Sequence, residues 1–309
     1  MNPASPAELT IITGPTAVGK TELSLRWAEV HDAEILSCDA SLVYRGMDIG
    51  TAKPTRAERA RIPHHGVDLV SVSEPYTIYN YLHLAVSVVE DVLSRGKRVL
   101  ITGGTGFYLK SFFEPVVDDV QVAESIRGEV AALEKRSGLG GLLECLKALN
   151  PNGLGSLDIH NPRRVARALE RCMASGQTVE ALRQNFEAQR TPFDRYTKKL
   201  YLLERAPEVL EARVRFRVRA MLEAGLVNEV RSLMKQGIER NPSAASAIGY
   251  RETIAWLQSG EDSIEKLEAS IVQSTLKLVK KQRTWFRTQV RVNEKINLDF
   301  KEDSHHWPL

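Results

Sequence analysis

The sequence predicts an α/β fold: a parallel sheet flanked by helices, with an all-helical insertion. Three observations carry this. Short apolar runs alternate with stretches of helical periodicity through the N-terminal third. A glycine turn follows the first run and opens a helix. From 123 to 190 only helical patterns occur, broken at 137–141, 150–156 and 175–177.

Glu8–Thr13 (ELTIIT) is a short apolar run before a glycine, hence a buried strand. Thr21–Val30 follows with helical spacing, then a second strand, Ala33–Ser37. A short strand is expected at Val67–Val70. Tyr79–Arg95 is a helix stopped by Gly96. Arg98–Thr102 is a strand closed by Gly103 and Gly104, and Pro115–Asp119 reads as a linker. After the insertion, Tyr201–Glu204 returns to the sheet. Helices then run over 207–224, 227–236, a stretch after Gly249, and 262–288, and Arg291–Leu298 is expected as a last strand. The core is therefore discontinuous, 1–120 and 198–309, and the insertion spans 121–197.

The chain has 43% hydrophobic and 26% charged residues, which fits a water-soluble domain and excludes a low-complexity chain. No apolar run is long enough to span a bilayer, so no membrane association is expected. The start, MNPASPAE, lacks the basic and apolar segments of a signal peptide. Cys38, Cys145 and Cys172 are odd in number and far apart, with no C-x-x-C. A cytoplasmic monomer is expected. The net charge of +3 is uneven: residues 1–122 sum to −4 and 123–309 to +7. A basic C-terminal part beside a phosphate-binding N-terminal part suits a polyanionic partner.

The turn Gly14-Pro15-Thr16-Ala17-Val18-Gly19-Lys20-Thr21 has the P-loop spacing in the strand–turn–helix context that spacing requires. It makes the core P-loop NTPase-like. Backbone N–H groups and a helix N-terminus would cradle phosphate, Lys20 adds charge, and the Thr21 hydroxyl is a Mg2+ ligand. Which phosphate is held stays open: a kinase, an NTPase and a diphosphate-releasing transferase need the same cradle. Asp39 follows the second strand at the sheet edge where α/β proteins carry their sites. A carboxylate there is a general base, a hydrogen-bond acceptor or a magnesium ligand. The next strand ends in Thr102-Gly-Gly-Thr105, where an NTPase more typically carries an acid for magnesium. His64-His65 reads as structural, since adjacent side chains diverge and no third metal ligand is evident.

Together these motifs resemble the tRNA dimethylallyltransferase family. The matches are GPTAVGKT (14–21), S-x-D (37–39), YRGMDIGTAKP (44–54), PHH (63–65), GKRVLITGGTGFYLK (96–110), NPRRVARALE (161–170), RVRFRVRAMLEAGLVNEV (213–230), AIGYRE (247–252) and KKQRTWFR (280–287). They span nearly the whole chain. The resemblance implies transfer of a dimethylallyl group from dimethylallyl diphosphate to N6 of adenosine 37, in tRNAs reading codons that begin with U. The P-loop would then hold the leaving diphosphate, with Mg2+, Lys20, Thr21 and Arg217, assisted by Arg213. Asp39 matches the family's catalytic base, and Thr105 a residue beside the reacting adenine. The base must leave the anticodon stack to react.

The tRNA-binding positions implied are Asp39, Ala40, Ser41, Leu42, Thr105, Arg127, Arg163, Arg164, Arg167, Gly249, Tyr250, Arg251, Lys281, Arg283 and Arg287. Arg163, Arg164, Arg167 and Arg171 also recur at helical spacing, as a basic stripe suited to the anticodon stem-loop. Tyr250 and Arg251 offer planes for stacking on a splayed base. Phe286 is expected in the core. The family usually has Asp-Ser-x-Gln where this chain has Asp39-Ala40-Ser41-Leu42, a Gln is common at Arg163, and a Gln or Arg is often found at Ser246. Three alternatives stand beside this reading: an isopentenyltransferase acting on free adenine nucleotides, a P-loop small-molecule kinase, and a non-catalytic RNA binder. The arginine stripe, the missing acid, and the intact Lys20, Thr21 and Asp39 respectively argue against them.

Overall fold

The first strand alternates its side chains between two buried faces, and this sets the architecture. Leu9 and Ile11 enter one apolar cluster and Ile12 the other. A strand buried on both faces is the mark of a parallel sheet covered by helices. The computed structural model describes residues 6–300. The described residues form two compact units, one drawn from the chain up to Phe113 and from Pro192 onward, the other Glu114–Thr191.

The first unit begins β1 (Glu8–Thr13), α1 (Lys20–Val30), β2 (Ala33–Ser37), α2 (Arg56–Arg61), β3 (His64–His65), α3 (Ile78–Ser94), β4 (Arg98–Gly103) and α4 (Gly106–Lys110). The second unit contributes α5 (Glu124–Ala148), α6 (Pro162–Ser175) and α7 (Val179–Glu187). The first unit resumes with β5 (Thr197–Glu204), α8 (Pro207–Glu223), α9 (Leu226–Lys235), α10 (Pro242–Ala245), α11 (Tyr250–Ser259), α12 (Ile264–Gln289) and β6 (Glu294–Asn297). Its six strands pair in parallel in the order β3-β2-β4-β1-β5-β6. Because β4 lies between β2 and β1, the segments after all three strands emerge side by side. Thr13 pairs with Gly103 and Ser37 with Thr102, so the strands end level.

One face of the sheet is covered by α3, through Tyr81, Ala85 and Val89, with Phe112, Phe193 and Phe286. The other packs on α1, α8 and α12, through Trp27, Val214 and Ile271 among others. Phe286 is buried as expected. The expected strand at 67–70 is absent; only Val70 makes an isolated bridge, to Tyr44. The edge strand is instead His64–His65, which pairs with Ile35 and Leu36. Residues 192–197, read from sequence as insertion, fall with the sheet: Phe193 packs on Phe112 with ring centroids 4.5 Å apart, and Thr197 begins β5.

In the helical unit, α5 is two helical stretches that meet at a kink at Gly138, inside the expected break at 137–141; its φ of 59° and ψ of −158° are non-helical, a conformation only glycine adopts freely. Asn161 caps α6, its side chain accepting the Arg164 N–H at 3.3 Å, and Pro162 fills the first turn. Val130, Leu146, Val165 and Leu169 form this unit's own core. Val120 packs against that core, so residues expected to close the sheet unit belong here. No helix among the described residues is long and apolar enough to cross a membrane.

Candidate active site

The loop between β1 and α1 needs its glycines. Gly14 has φ 155°, and a Cβ there would meet the Leu203 carbonyl oxygen at 2.7 Å. Gly19 has φ 114°. Val18 is fully buried and pins the middle of the loop. Two arginines take up loop carbonyls: Arg213 Nε donates to Ala17 O at 2.7 Å and Arg205 Nε to Val18 O at 2.9 Å. Lys20 Nζ folds back on the Gly14 and Pro15 carbonyls at 2.8 and 3.0 Å. Desolvation there lowers its pKa to about 8, against the pull of Asp39 and with a push from Arg217. Thr21 lies in the first turn of α1, at the positive end of the helix.

Asp39 is held by the segment after β4. Gly103 lies so close to the Cys38 backbone that any side chain would collide with it. The Cys38 N–H donates to Thr102 O at 2.7 Å, and the Thr105 N–H to Cys38 O at 3.1 Å. The Thr105 hydroxyl in turn accepts the Ala40 N–H at 3.0 Å. Asp39 Oδ1 accepts the Ser41 N–H at 3.0 Å. Asp39 and Thr105 are thus fixed through backbone on both sides.

Two cavities meet at Asp39. The first, about 660 Å³, is walled by the phosphate loop, Lys20, Thr21 and Arg213, with Leu42, Pro54 and Phe216 as an apolar side. The second, about 680 Å³, lies between Gly104–Phe107 and an apolar wall that includes Val218, Met221, Ile248 and Trp285. Thr16, Asp39, Thr51 and Arg217 line both. Arg217 Nη2 donates to Thr51 O at 3.0 Å. Burial lowers the pKa of its guanidinium, and the Asp39 carboxylate opposes that shift. Ser37, buried at the end of β2, lines the first cavity with an Oγ that has no hydrogen-bond partner.

Of the sequence-derived positions, Lys20, Thr21, Arg217, Asp39 and Thr105 converge on this pair of cavities. Ser41, Arg251 and Lys281 line the second cavity, as does Ser246, while Leu42 lines the first. Ala40 enters through its N–H alone. Arg283 and Arg287 do not join Lys281. They face a separate groove of about 790 Å³ beside Pro15, with Lys280, Arg205 and Lys295.

Tyr250 is corrected from a base contact to a core residue. It is 0% exposed, so no ring face is free for stacking. Its hydroxyl donates to Glu229 Oε1 at 2.6 Å, and Glu229 also accepts the Asp48 and Ile49 N–H groups at 3.1 and 2.8 Å. Gly249 is buried too; its N–H donates to Glu252 Oε2 at 2.8 Å and its φ is 93°. Both residues shape the wall of the site from behind. His65 Nε2 lies 2.8 Å from Glu34 and is structural, whereas His64 lines the first cavity. Among the described residues no cluster of three His, Cys, Asp or Glu could hold a metal.

Sequence reasoning missed Arg205, Glu229 and Gln282. Gln282 stands on the α12 stripe Thr275, Leu278, Gln282, Trp285 that faces the second cavity, a polar residue at an otherwise inward spacing. In the helical unit, Arg127, Arg163, Arg164 and Arg167 are exposed. Arg164 pairs with Asp158 and Arg167 with Glu170, each at 3.4 Å, and Arg171 pairs with Asp118.

The strand–glycine loop–helix at the sheet's carboxyl edge, with a carboxylate lining two adjoining cavities, defines a P-loop NTPase-like α/β protein. The family model described as IPP transferase matches residues 42–289, and the chain belongs to that family. The tRNA dimethylallyltransferase of Opitutus terrae is 51% identical over 98% of both chains. That of Chlamydia pneumoniae is 33% identical, covering 96% of this chain and 86% of its own. The crystal structure of the full-length tRNA isopentenylpyrophosphate transferase from Bacillus halodurans matches with a TM-score of 0.67 at 32% identity, covering 94% of this chain and 89% of that one. A eukaryotic dimethylallyltransferase acting on tRNA matches with a TM-score of 0.75 at 25% identity, covering 91% and 70%.

Proposed function

We propose that the protein transfers the dimethylallyl group of dimethylallyl diphosphate to N6 of adenosine 37, in tRNAs reading codons that begin with U. One observation carries this: Asp39 and Arg217 line both cavities at once. The diphosphate occupies the first cavity and the flipped adenine the second. The prenyl C1–O bond breaks, the N6–C1 bond forms, and a proton passes from N6 to Asp39. An exocyclic aromatic amine is a weak nucleophile, so a carboxylate accepting that proton lowers the barrier as the bond forms. Lys20, Arg213 and Arg217 stabilise the charge that gathers on the departing diphosphate.

Magnesium fits this donor set. The Thr21 hydroxyl and the Asp39 carboxylate offer hard oxygen at the first cavity. The Thr21 hydroxyl is the residue proposed to hold the ion, which would neutralise leaving-group charge. Exposed Arg127, Arg163, Arg164 and Arg167 supply phosphate contacts to the anticodon stem-loop, and Ser41, Arg251 and Lys281 contact the acceptor nucleotide. A small-molecule kinase is disfavoured because β4 ends in Thr102-Gly103 without an acid.

The test is to incubate the protein with magnesium, labelled dimethylallyl diphosphate and unmodified tRNA, then map the label after nuclease digestion. Label on N6 of adenosine 37 is expected. Label on any other nucleoside would contradict the assignment.

A further inference from the structure

We propose that Gln282 is a positioning residue that ties the phosphate loop to the acceptor side of the site. This rests on the two-cavity reading above. The Gln282 carboxamide accepts the Thr16 N–H through Oε1 at 2.9 Å and donates through Nε2 to Gly104 O at 2.9 Å. Its side chain bonds both the phosphate loop and the segment after β4. Its helix presents Lys281 and Trp285 to the second cavity.

The local sequence is cut to this contact. A Cβ at Gly104 would lie 2.6 Å from Gln282 Nε2, and one at Gly106 would lie 2.6 Å from the Trp285 ring. Two glycines of the Gly103-Gly104-Thr105-Gly106 run therefore let α12 rest directly on the backbone that carries Thr105. From Gly104 the bonding continues: Thr105 N–H to Cys38 O, and Ala40 N–H to the Thr105 hydroxyl, next to Asp39. Thr16 lines both cavities. Gln282 thereby sets the spacing between the loop that holds the leaving group and the segment that holds the base. In a displacement at carbon that spacing governs the rate, since a misplacement on the order of 1 Å costs about 100-fold.

Three proteins separate a positioning role from mere packing. Gln282→Met keeps the side-chain length and removes both hydrogen bonds. Gln282→Glu keeps an acceptor for Thr16 N–H, removes the donor to Gly104 O and places negative charge beside the phosphate loop. Wild type is the control for the underlying reading. Transfer is measured under single-turnover conditions at saturating tRNA, beside the melting temperature, the tRNA Kd and the KM for dimethylallyl diphosphate. We expect Gln282→Met to fold with a modestly lowered melting temperature and to bind tRNA normally, with the transfer step slowed about 10- to 100-fold. Gln282→Glu should raise the KM for the diphosphate severalfold as well, and it carries the test if the Met variant does not fold. Transfer within twofold of wild type in a folded variant would overturn the role of Gln282. Absence of transfer by wild type would instead overturn the two-cavity reading itself.

Discussion

The Thr105 hydroxyl accepts the N–H of Ala40 at 3.0 Å, so the segment after β4 holds the residue next to Asp39. Removing that acceptor leaves the Ala40 N–H unpaired inside the site, and the hydroxyl's own proton is lost to the acceptor cavity. Thr105→Val should lower kcat by about 10- to 100-fold, while Thr105→Ser should retain most of it. Steady-state kinetics with tRNA as the varied substrate distinguishes the two.

Asp39 is the proposed base. Asp39→Asn keeps the shape and an acceptor for the Ser41 N–H but cannot take the N6 proton. Its kcat should fall about 100- to 10,000-fold, with tRNA affinity unchanged in a filter-binding or gel-shift assay. A matching loss of tRNA affinity would assign Asp39 to binding instead.

Lys20 gives the site a pH limb. Its pKa is lowered to about 8 by desolvation, so the free enzyme loses this positive charge as pH rises through that value. The kcat/KM for dimethylallyl diphosphate reports the free enzyme and should fall over the same interval. Bound diphosphate favours the charged amine, so the corresponding limb in kcat should lie at higher pH. Lys20→Arg, charged throughout, should lack the limb in kcat/KM.

Tyr250 separates structure from contact. Tyr250→Phe removes the bond to Glu229 and should cost about 1 to 3 kcal/mol of stability, read by denaturant unfolding. The Kd for tRNA should stay the same, because the ring is fully buried and its hydroxyl is taken up by Glu229. Alanine at Arg163, Arg164 and Arg167 should do the opposite. Each neutralised phosphate contact lowers the slope of log K against log salt by about 0.7 to 0.9, with the melt unchanged.

Glu34 contributes to stability against acid. Hydrogen bonds from Arg95 hold its carboxyl at about 2 against the ordinary 4.5, with help from His65. The carboxylate is favoured in the folded state, so its contribution is complete above the ordinary value and is lost as pH falls toward 2. The contribution is at most about 3 kcal/mol, reduced by solvent screening where Arg95 is exposed. Thermal melts of Glu34→Gln should show a flatter acid limb than wild type.

Much of this site is legible in the residues. The apolar runs of β1, β2 and β4 stand out because buried parallel strands are apolar on both faces. The glycine spacing of 14–21 marks a phosphate loop since few other structures need it. The misses have physical causes. β3 is two histidines with no apolar run, and its pairing is set by β2. The start of β5, Thr197-Lys198-Lys199, is charged because it lies at an end of the sheet, so only its buried half reads as strand. Tyr250 resembles a stacking residue in isolation, yet Tyr250, Thr253 and Ile254 share the inward face of α11, a spacing that marks burial. Gln282 bonds to loops 178 and 266 residues away in sequence, and no local pattern announces such partners.

Two substrates are proposed to meet at Asp39, a prenyl diphosphate and an adenine within tRNA. Labelled dimethylallyl diphosphate and magnesium, offered in parallel to unmodified tRNA, to the same tRNA with guanosine at position 37, to AMP and to ATP, test it most directly. Label entering only the tRNA that carries adenosine 37 is the result predicted here. Label on free nucleotide, or consumption of ATP with no prenyl transfer to any acceptor, would contradict it.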